Sequence, residues 1–303
     1  MGDPSGIGPE VAVAAFEAFG GRVGAHRLRL MGDPDVFRAF GAIPDQALCP
    51  TAKAKSHAPG RSDPDNALAI LSAIEGAVRA ASGGDAAAIV TAPIHKATLL
   101  QAGFGFPGHT EYLAHLTGAP RAVMMLVGGG LRVVPLTIHM PYAAVPEHIT
   151  APAILETANI VLDALHRDFR LTAPRLAVAG LNPHAGESGA IGREEQEIIA
   201  PAIAALRAQG HIVNGPMPPD TMFHLEARAR YDAALCMYHD QALIPLKTLA
   251  FWDGVNVTLG LPIVRTSPDH GTAFDIAGKS RADSRSMMAA IRLAAEIADA
   301  GRN

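Results

Sequence analysis

Three histidines share a sequence context that metal chemistry could use. His139 follows the apolar run LRVVPLTI, His184 follows RLAVAGL, and His239 follows AALCMY. Each lies at or just beyond the carboxyl end of a predicted strand, where open α/β sheets place their ligand-binding residues. Separations of 45 and 55 residues are too long for a zinc finger, but they suit ligands gathered from separate strands.

Three neutral imidazoles would bind a divalent metal ion and leave coordination positions open, which is the catalytic rather than the structural arrangement. Nitrogen ligands favour a borderline ion such as Zn²⁺ or Co²⁺, whereas an all-oxygen site would suit Mg²⁺ better. The alternative is that the three histidines are separately hydrogen-bonded core residues. Their equivalent positions at strand ends favour the metal site.

A second group of residues has the chemistry of an anion-binding site. A small substrate bearing phosphate and carboxylate requires such side chains, because charge-assisted hydrogen bonds fix each of its ends. The candidates lie in TAPIHK, in GHTEY and between residues 247 and 275, and they are His95, Lys96, His109, Thr110, Lys247, Asn256, Arg265, Asp269 and His270. The alternative is that the lysines and Arg265 are solvated surface charges.

Common nucleotide-binding and hydrolase motifs are absent from the sequence or misplaced in it. GFGFPG at 103–108 matches GxGxxG, yet it follows a helix-like segment and has Pro107 where a helix would have to begin. A Rossmann fingerprint needs a strand before it and a helix after it. The sequence also has no GxxxxGK[ST], GxSxG or HExxH, which argues against P-loop ATPases, standard α/β-hydrolases and zincin proteases.

The elements that must position these residues follow from an alternation of short apolar runs and longer amphipathic ones. This alternation predicts strands joined by crossover helices in a largely parallel sheet. Strands are predicted at 26–31, 86–92, 122–127, 131–138, 175–181, 233–238 and 255–260. Helices are predicted at 9–19, 64–81, 150–169, 193–210 and 282–300. The segment GGGL at 128–131 is so short that only a hairpin fits, so the sheet is predicted to be mixed.

Composition narrows the class of protein. The chain has 303 residues, 49% of them apolar, which is enough for one large domain or two ordinary ones. A net charge of −4 without any Lys/Arg run gives no footprint for nucleic acid or an anionic membrane, so a small ligand is expected. Two cysteines without metal-type spacing and no signal-like N-terminus fit a cytoplasmic protein. No apolar run approaches the ~20 residues of a membrane span.

Several blocks of the sequence resemble the 4-hydroxythreonine-4-phosphate dehydrogenases of vitamin B6 synthesis. The resemblance runs from residue 2 to the final helix, and GLNPHAGE and MYHDQ are its most specific parts. The blocks are GDPSGIGPE, TAPIHK, GHTEYLA, GLNPHAGESGAIGREE, GPMPPDTMF, MYHDQALIPLK and GVNVTLGLPIVRTSPDHGTAFDIAGK.

The resemblance implies a fold like that of isocitrate and isopropylmalate dehydrogenases, with two α/β/α domains flanking a cleft. The expected first domain comprises residues 1–110 and 261–303, and the second comprises residues 111–260. The second domain would carry the metal-binding histidines and the interface of a homodimer whose active sites lie between subunits.

The resemblance also implies roles for individual residues. The metal ligands of the family fall on His139, His184 and His239, one of which would reach a site built mainly by the other subunit. Its substrate contacts fall on residues that all keep the family's residue types, namely His109, Thr110, Lys247, Asn256 and Arg265.

The implied reaction is oxidation of 4-phosphooxy-L-threonine at C3 by NAD⁺ or NADP⁺, followed by decarboxylation to 3-amino-2-oxopropyl phosphate. The implied metal is Zn²⁺, Co²⁺ or Mg²⁺, and Lys247 or a water molecule would accept the first proton. Three alternatives remain. They are an oxidative decarboxylase for D-threonate or D-erythronate 4-phosphate, a metal-dependent hydrolase or aldolase, and a non-catalytic binding protein.

The first residues, GDPSGIGPEV, are similar to the GDGIGPEV of isopropylmalate dehydrogenases. Pro9 suits the first turn of a helix, and Glu10 favours its positive end. Relatives carry a short apolar strand before this loop, whereas this sequence begins at the edge of the loop. Either the true start lies upstream by roughly one strand's length, or the protein does without that strand.

Overall fold

The computed structural model describes residues 1–301, which form two compact units. Within the described residues, unit 1 combines Met1–Ala122 with the chain from Trp252 to Gly301, and unit 2 is Val123–Phe251. Both units contain helices and strands, so the predicted mixed α/β class is confirmed. No helix within the described range is long and apolar enough to cross a membrane.

The helices include all five that the sequence predicted, together with shorter ones. They are α1 (Gly8–Ala18), α2 (Pro34–Arg38), α3 (Ala67–Ser82), α4 (Lys96–Gln101), α5 (His109–Thr117), α6 (Val145–His148), α7 (Ala151–Arg167), α8 (Ala200–Ala208), α9 (Leu225–Arg228), α10 (His239–Leu249) and α11 (Arg285–Gly301). Helix α8 is preceded by a π-helical turn, Glu195–Ile199, inside the segment predicted as one regular helix.

The strands confirm the predicted apolar runs and add four that were not predicted. They are β1 (Arg22–Val23), β2 (His26–Arg27), β3 (Leu30–Gly32), β4 (Leu48–Pro50), β5 (Ile89–Val90), β6 (Val123–Gly128), β7 (Leu131–Pro135), β8 (Arg175–Ala179), β9 (Ile212–Met217), β10 (Ala233–Cys236), β11 (Val255–Leu259) and β12 (Arg265–Pro268). The additional strands are β1, β4, β9 and β12. Strand β12 reads RTSP, and this polar sequence gives no apolar signal although all four residues are buried.

In unit 1, strand β12 lies between β5, to which it is parallel, and β11, to which it is antiparallel. Strand β3 pairs in parallel with β4. Helix α11 packs on β12 through its apolar face, and Met287, Ile291 and Val11 of α1 belong to one buried cluster. The GFGFPG segment connects α4 to α5, so no strand precedes it, which confirms that it is not a dinucleotide fingerprint.

In unit 2, the strand order is β6-β7-β10-β8-β9. Strands β7, β10, β8 and β9 are parallel, and their shared core contains Val133, Ala177 and Ala234, none of which is exposed. The carboxyl ends of β7, β10 and β8 therefore meet at one edge of the sheet. This edge is where the three strand-end histidines were predicted.

A two-residue turn makes unit 2 a mixed sheet. Strand β6 is antiparallel to β7, with Gly128 opposite Leu131, so only Gly129 and Gly130 form the turn. Both have positive φ, +56° and +73°, as tight hairpins of this length require. The predicted hairpin at GGGL is confirmed.

Unit 1 contains a largely apolar pocket of about 500 Å³. Residues of β3 and β5 contribute to its wall, with one face of each of α1, α3 and α11. Small buried side chains such as Ala73 on α3 and Ala294 on α11 are among the residues that line it. The pocket is thus a place where side-chain volume can increase without displacing the backbone.

Candidate active-site residues

Each of the three strand-end histidines follows one of three neighbouring parallel strands. His139 lies four residues beyond β7, His184 five beyond β8, and His239 three beyond β10. The rings of His139 and His239 have centroids 5.5 Å apart. Two imidazoles at this separation can share one divalent ion, whose bonds to nitrogen are ~2.0–2.1 Å long.

His239 has the orientation that a ligand histidine needs. Its Nδ1 lies 2.7 Å from Oδ1 of Asp240, and the hydroxyl of Tyr142 donates to Oδ2 of the same carboxylate. These two hydrogen bonds, from Tyr142 first and then His239, lower the pKa of Asp240, so its carboxylate is ionised and accepts the Nδ1 proton. The Nε2 of His239 is left with its lone pair for a metal ion, as in carboxylate–histidine–metal arrangements.

Two buried side chains tie the loops that carry these histidines to one another. Thr137, two residues before His139, donates its hydroxyl to the carbonyl of Met237 at 2.8 Å. Gln241 accepts the Met237 N–H at 2.6 Å and donates to the carbonyl of Gly180 at 2.8 Å. The backbone before His139, His239 and His184 is therefore joined in one buried hydrogen-bonded network.

His184 is exposed and belongs to a loop of unusual backbone conformation. Residues 184–188 have φ between +42° and +77°, and Gly186 is their only glycine. Within the described chain, no three His, Cys, Asp or Glu side chains are placed to hold one metal ion. The structure therefore brings His139 and His239 together, whereas a single chain does not assemble His184 with them.

Arg265 is a buried cation that hydroxyl groups hold in place. It stands on the middle strand β12, and its side chain donates to Thr91 Oγ1 at 3.0 and 2.6 Å and to Thr258 Oγ1 at 2.7 Å. Burial lowers the pKa of its guanidinium to about 10, so the group is still charged at neutral pH. Among residues 1–301 no carboxylate pairs with it, and the threonines orient the charge without neutralising it.

Two further polar atoms of unit 1 are buried without a hydrogen-bond partner among the described residues, namely Nε2 of His109 and Oδ1 of Asn256. Burial, together with the positive charge of Arg265, holds the pKa of His109 well below its usual value. His109 is therefore neutral at physiological pH. Unsatisfied buried polar atoms cost free energy, and a polar ligand that pairs with them recovers it.

The remaining candidates occupy varied surroundings. Thr110 lies in the first turn of α5, and Lys247 on α10 has its Nζ 5.6 Å from the ring centroid of Phe251. His95 shares a 2.5 Å hydrogen bond with Thr98, whereas Lys96 is exposed at the start of α4. Nδ1 of His270 lies 3.0 Å from the carbonyl of the next residue. The backbone N–H of Asp269 donates to the hydroxyl oxygen of Ser286 at 3.1 Å.

Sequence reasoning missed the residues that support these groups. They are Thr91, Asp240, Gln241, Thr258 and Glu195. All five lie in the blocks that signal the family: Thr91 in TAPIHK, Asp240 and Gln241 in MYHDQ, Glu195 in GLNPHAGESGAIGREE, and Thr258 in GVNVTLGLPIVRTSPDHGTAFDIAGK. Their roles were missed because Thr91, Glu195 and Gln241 act through hydrogen bonds to groups 13 or more residues away, for which spacing along the chain is no guide.

Comparison with known proteins gives the family. The model of the family described as pyridoxal phosphate biosynthetic protein PdxA matches residues 32–294. The chain belongs to this family. Curated PdxA relatives are named 4-hydroxythreonine-4-phosphate dehydrogenase. The one from Roseobacter denitrificans is 52% identical over 98% of this chain and 95% of its own length, and the one from Caulobacter vibrioides is 50% identical over 98% and 96%.

Solved structures extend the likeness to the fold. The crystal structure of 4-hydroxythreonine-4-phosphate dehydrogenase from Klebsiella pneumoniae is 38% identical, covers 98% of both chains and has a TM-score of 0.86. The structure of a terephthalate 1,2-cis-dihydrodiol dehydrogenase from Burkholderia xenovorans is 30% identical over 97% of this chain and 96% of its own, with a TM-score of 0.68. The relatives are dehydrogenases, and this PdxA family member is accordingly an oxidoreductase of vitamin B6 biosynthesis.

Proposed function

We propose that this chain oxidises 4-phosphooxy-L-threonine at C3 with NAD⁺ or NADP⁺, and that loss of the carboxylate then gives 3-amino-2-oxopropyl phosphate. The observation that carries the proposal is the pair of His139 and His239 at the ends of adjacent parallel strands. The chain that holds this pair is similar over 98% of its length to a relative named 4-hydroxythreonine-4-phosphate dehydrogenase. The histidines are the proposed metal ligands, with His184 as the third.

The histidine pair fits a divalent metal because Asp240 occupies Nδ1 of His239 and leaves Nε2 available. A bound Zn²⁺, Co²⁺ or Mg²⁺ supplies positive charge that favours ionisation of the C3 hydroxyl and then accommodates negative charge on the carbonyl oxygen during decarboxylation. Asp240 and Tyr142 keep the imidazole of His239 in one orientation throughout.

Arg265, His109, Thr110, Asn256 and Lys247 are the proposed substrate-binding residues. The guanidinium of Arg265 supports this assignment because it is buried, charged and without a carboxylate partner within residues 1–301. An anionic phosphate or carboxylate is the natural complement of such a cation. The unpaired Nε2 of His109 and Oδ1 of Asn256 can likewise bond to polar groups of the substrate.

Lys247 is the proposed acceptor of the C3 hydroxyl proton. Its position on α10, the helix that begins at His239, supports the assignment because both residues belong to one rigid element. A lysine accepts a proton only in its neutral form, so substrate binding would have to favour that form.

A homodimer is part of the proposal. Ile138 and Tyr142, which flank His139 in sequence, have exposed fractions of 36% and 64%, and Ile244 on α10 is 65% exposed. Apolar side chains gathered on one unit are typical of surfaces that bury themselves against a partner. A second copy of the chain would also provide a way for His184 to join the other two histidines.

A cytoplasmic location is proposed on the basis that Cys49 and Cys236 are both free thiols.

The experiment that tests the function follows NADH or NADPH formation spectrophotometrically with 4-phosphooxy-L-threonine. D-threonate 4-phosphate and D-erythronate 4-phosphate serve as competing substrates, and each assay is run before and after chelation of divalent metals. Turnover of the amino acid alone, abolished by chelation and restored by Zn²⁺, Co²⁺ or Mg²⁺, is the expected result. Faster turnover of a hydroxy acid would support the alternative, an oxidative decarboxylase for D-threonate or D-erythronate 4-phosphate. No reduction of either nicotinamide would exclude a dehydrogenase.

A further inference from the structure

Glu195 is a buried acidic residue whose hydrogen bonds all go to the segment that leads into His184. Its side chain is 3% exposed, and it begins the π-helical turn before α8. Oε1 accepts the backbone N–H of Leu181 at 2.8 Å and of Asn182 at 2.7 Å, and Oε2 accepts from Nδ2 of Asn182 at 3.0 Å. Three N–H donors thus replace the water that a buried carboxylate loses.

Two glycines let the backbone of this segment close around the carboxylate. A Cβ atom at Gly186 would lie 2.6 Å from Oε2 of Glu195, and one at Gly180 would lie 3.1 Å from Oε1. Gly180 lies four residues before His184, and Gly186 lies two residues after it. The loop that carries the histidine therefore encloses the side chain of Glu195. Glu195 is the first residue of the π-helical turn, and turns of this kind are frequent at functional sites.

The strained backbone of residues 184–188 requires contacts that hold it in place. His184, Ala185, Glu187 and Ser188 are non-glycine residues with φ between +42° and +56°. Each left-handed residue of this type costs on the order of 1 kcal/mol, and the strain persists only where surrounding contacts determine the backbone. The contacts of Glu195 are made at Leu181 and Asn182, immediately before the strained residues begin.

We propose that Glu195 is a positioning residue, which fixes the 181–188 loop so that the imidazole of His184 is presented as a metal ligand. This inference rests on the proposed metal role of His184 and adds the residue on which that role depends. Glu195 acts through the backbone of the loop and does not itself bind metal or substrate, since its two oxygens are already occupied by N–H donors.

The test uses the full-length chain and the variant Glu195→Gln, which keeps the shape of the side chain but presents an amide N–H to the Nδ2 of Asn182. A second variant, Asn182→Ala, removes the Nδ2 donor, which bonds to Oε2 of Glu195 at 3.0 Å and to Oε2 of Glu194 at 2.8 Å, and leaves the two backbone donors to Oε1 in place. Glu197→Gln is the matched control, because Glu197 lies on the same turn but is exposed and pairs with Arg193. His184→Ala reports whether the histidine binds metal at all.

Two quantities are measured on metal-free protein to which Co²⁺ alone is added. They are the Co²⁺ dissociation constant with its visible spectrum, and the exchange rates of the Leu181 and Asn182 amide protons. We expect Glu195→Gln to weaken Co²⁺ binding roughly 10–100-fold, as loss of residues that support metal ligands does. We also expect it to accelerate exchange at both amides at least tenfold, with a smaller effect for Asn182→Ala and none for Glu197→Gln.

The outcomes separate this inference from the proposed function. If His184→Ala loses Co²⁺ affinity while Glu195→Gln binds as tightly as the unaltered chain, the positioning role is wrong and the metal site stands. If His184→Ala binds Co²⁺ like the unaltered chain, the metal role of His184 is wrong, and the inference is overturned with it. Weaker binding by Glu195→Gln with unchanged exchange at Leu181 and Asn182 also overturns the inference, because the loop would then not be what the carboxylate holds.

Discussion

Oδ1 of Asp240 accepts the Nδ1 proton of the adjacent His239 across 2.7 Å. Neighbours in sequence seldom meet in this way, and here both residues lie in the first turn of α10. The carboxylate fixes both the tautomer and the ring plane of a histidine whose ring centroid lies 5.5 Å from that of His139.

Replacing Asp240 with alanine should weaken metal binding roughly 10–100-fold, because His239 then loses the partner that fixes its tautomer. Titration of metal-free protein with Co²⁺ measures the effect. Asp220→Ala is the control, since Asp220 is an exposed carboxylate of the same unit. Equal dissociation constants for the two variants would show that the contact with His239 does not support a ligand.

Replacing Arg265 with alanine should lower kcat/KM for the phosphorylated substrate by roughly ten- to a hundredfold or more, because a hydrogen bond to a charged group contributes about 1.5–3 kcal/mol. Steady-state kinetics against substrate concentration give the value. Arg281→Ala removes an exposed arginine of unit 1 and should leave kcat/KM unchanged. Equal losses in both variants would indicate a general effect of charge rather than a contact made by Arg265.

The depressed pKa of His109 predicts a stability that falls in acid. Because burial first, and the charge of Arg265 second, hold the folded-state pKa below the unfolded value of about 6.5, the unfolded chain binds the extra proton. Stability conferred by the neutral ring is therefore present above pH 6.5 and is lost as the pH falls toward the folded-state pKa. The slope is at most about 1.4 kcal/mol per pH unit.

Urea unfolding at pH 5.5, 6.5 and 7.5 tests this for the unaltered chain and for His109→Gln. Below pH 6.5 the free energy of unfolding should fall more steeply in the unaltered chain than in His109→Gln, because glutamine takes up no proton in this range. Parallel pH profiles for the two proteins would mean that His109 titrates normally.

The apolar pocket of unit 1 predicts a stabilising substitution. Ala294→Leu on α11 adds apolar volume to the pocket, and filling a void of this kind commonly stabilises by about 0.5–2 kcal/mol. Ala164→Leu is the contrast, because Ala164 is 2% exposed on α7 and does not line the pocket, so overpacking should destabilise by about 1–3 kcal/mol. The urea midpoints of both variants measure the difference. A lower midpoint for Ala294→Leu would show that the pocket cannot accept the added carbons.

The sequence was sufficient to predict the positions of the three histidines relative to the sheet. Each follows an apolar run long enough to be recognised, and every residue of β7, β8 and β10 except Arg132 and Arg175 is buried. Their placement side by side followed from the parallel topology that crossover helices impose. The hairpin at Gly129 and Gly130 was predictable for a similar reason, because a turn of two residues admits few conformations.

Strands β9 and β12 could not be predicted, because their residues do not look like those of strands. Strand β9 contains Gly215 and Pro216, and β12 is polar, with Arg265 satisfied by Thr91 and Thr258 rather than by water. The signal of an apolar run fails where burial is made possible by hydrogen bonds between side chains.

Gln241 and Glu195 escaped prediction for a different reason. Gln241 acts on Gly180, 61 residues earlier, through its backbone carbonyl, and any residue at position 180 would offer the same group. A contact to a backbone group can be made at any residue type, so the sequence does not reveal it. Only the folded chain shows that these two side chains hold the histidine-bearing loops.

The order of strands in unit 2 has a consequence for how this protein acquires its chemistry. Strand β10 is the last of the three histidine-bearing strands in the chain, yet it lies between β7 and β8. Until residues 233–236 are synthesised and pair as β10, strands β7 and β8 lack the shared neighbour that aligns their carboxyl ends. Contacts of such long sequence separation form slowly, since each closes a long loop. If His139 and His239 bind metal as proposed, metal binding reports completed folding of unit 2, because the two residues come together only once β10 has paired with β7.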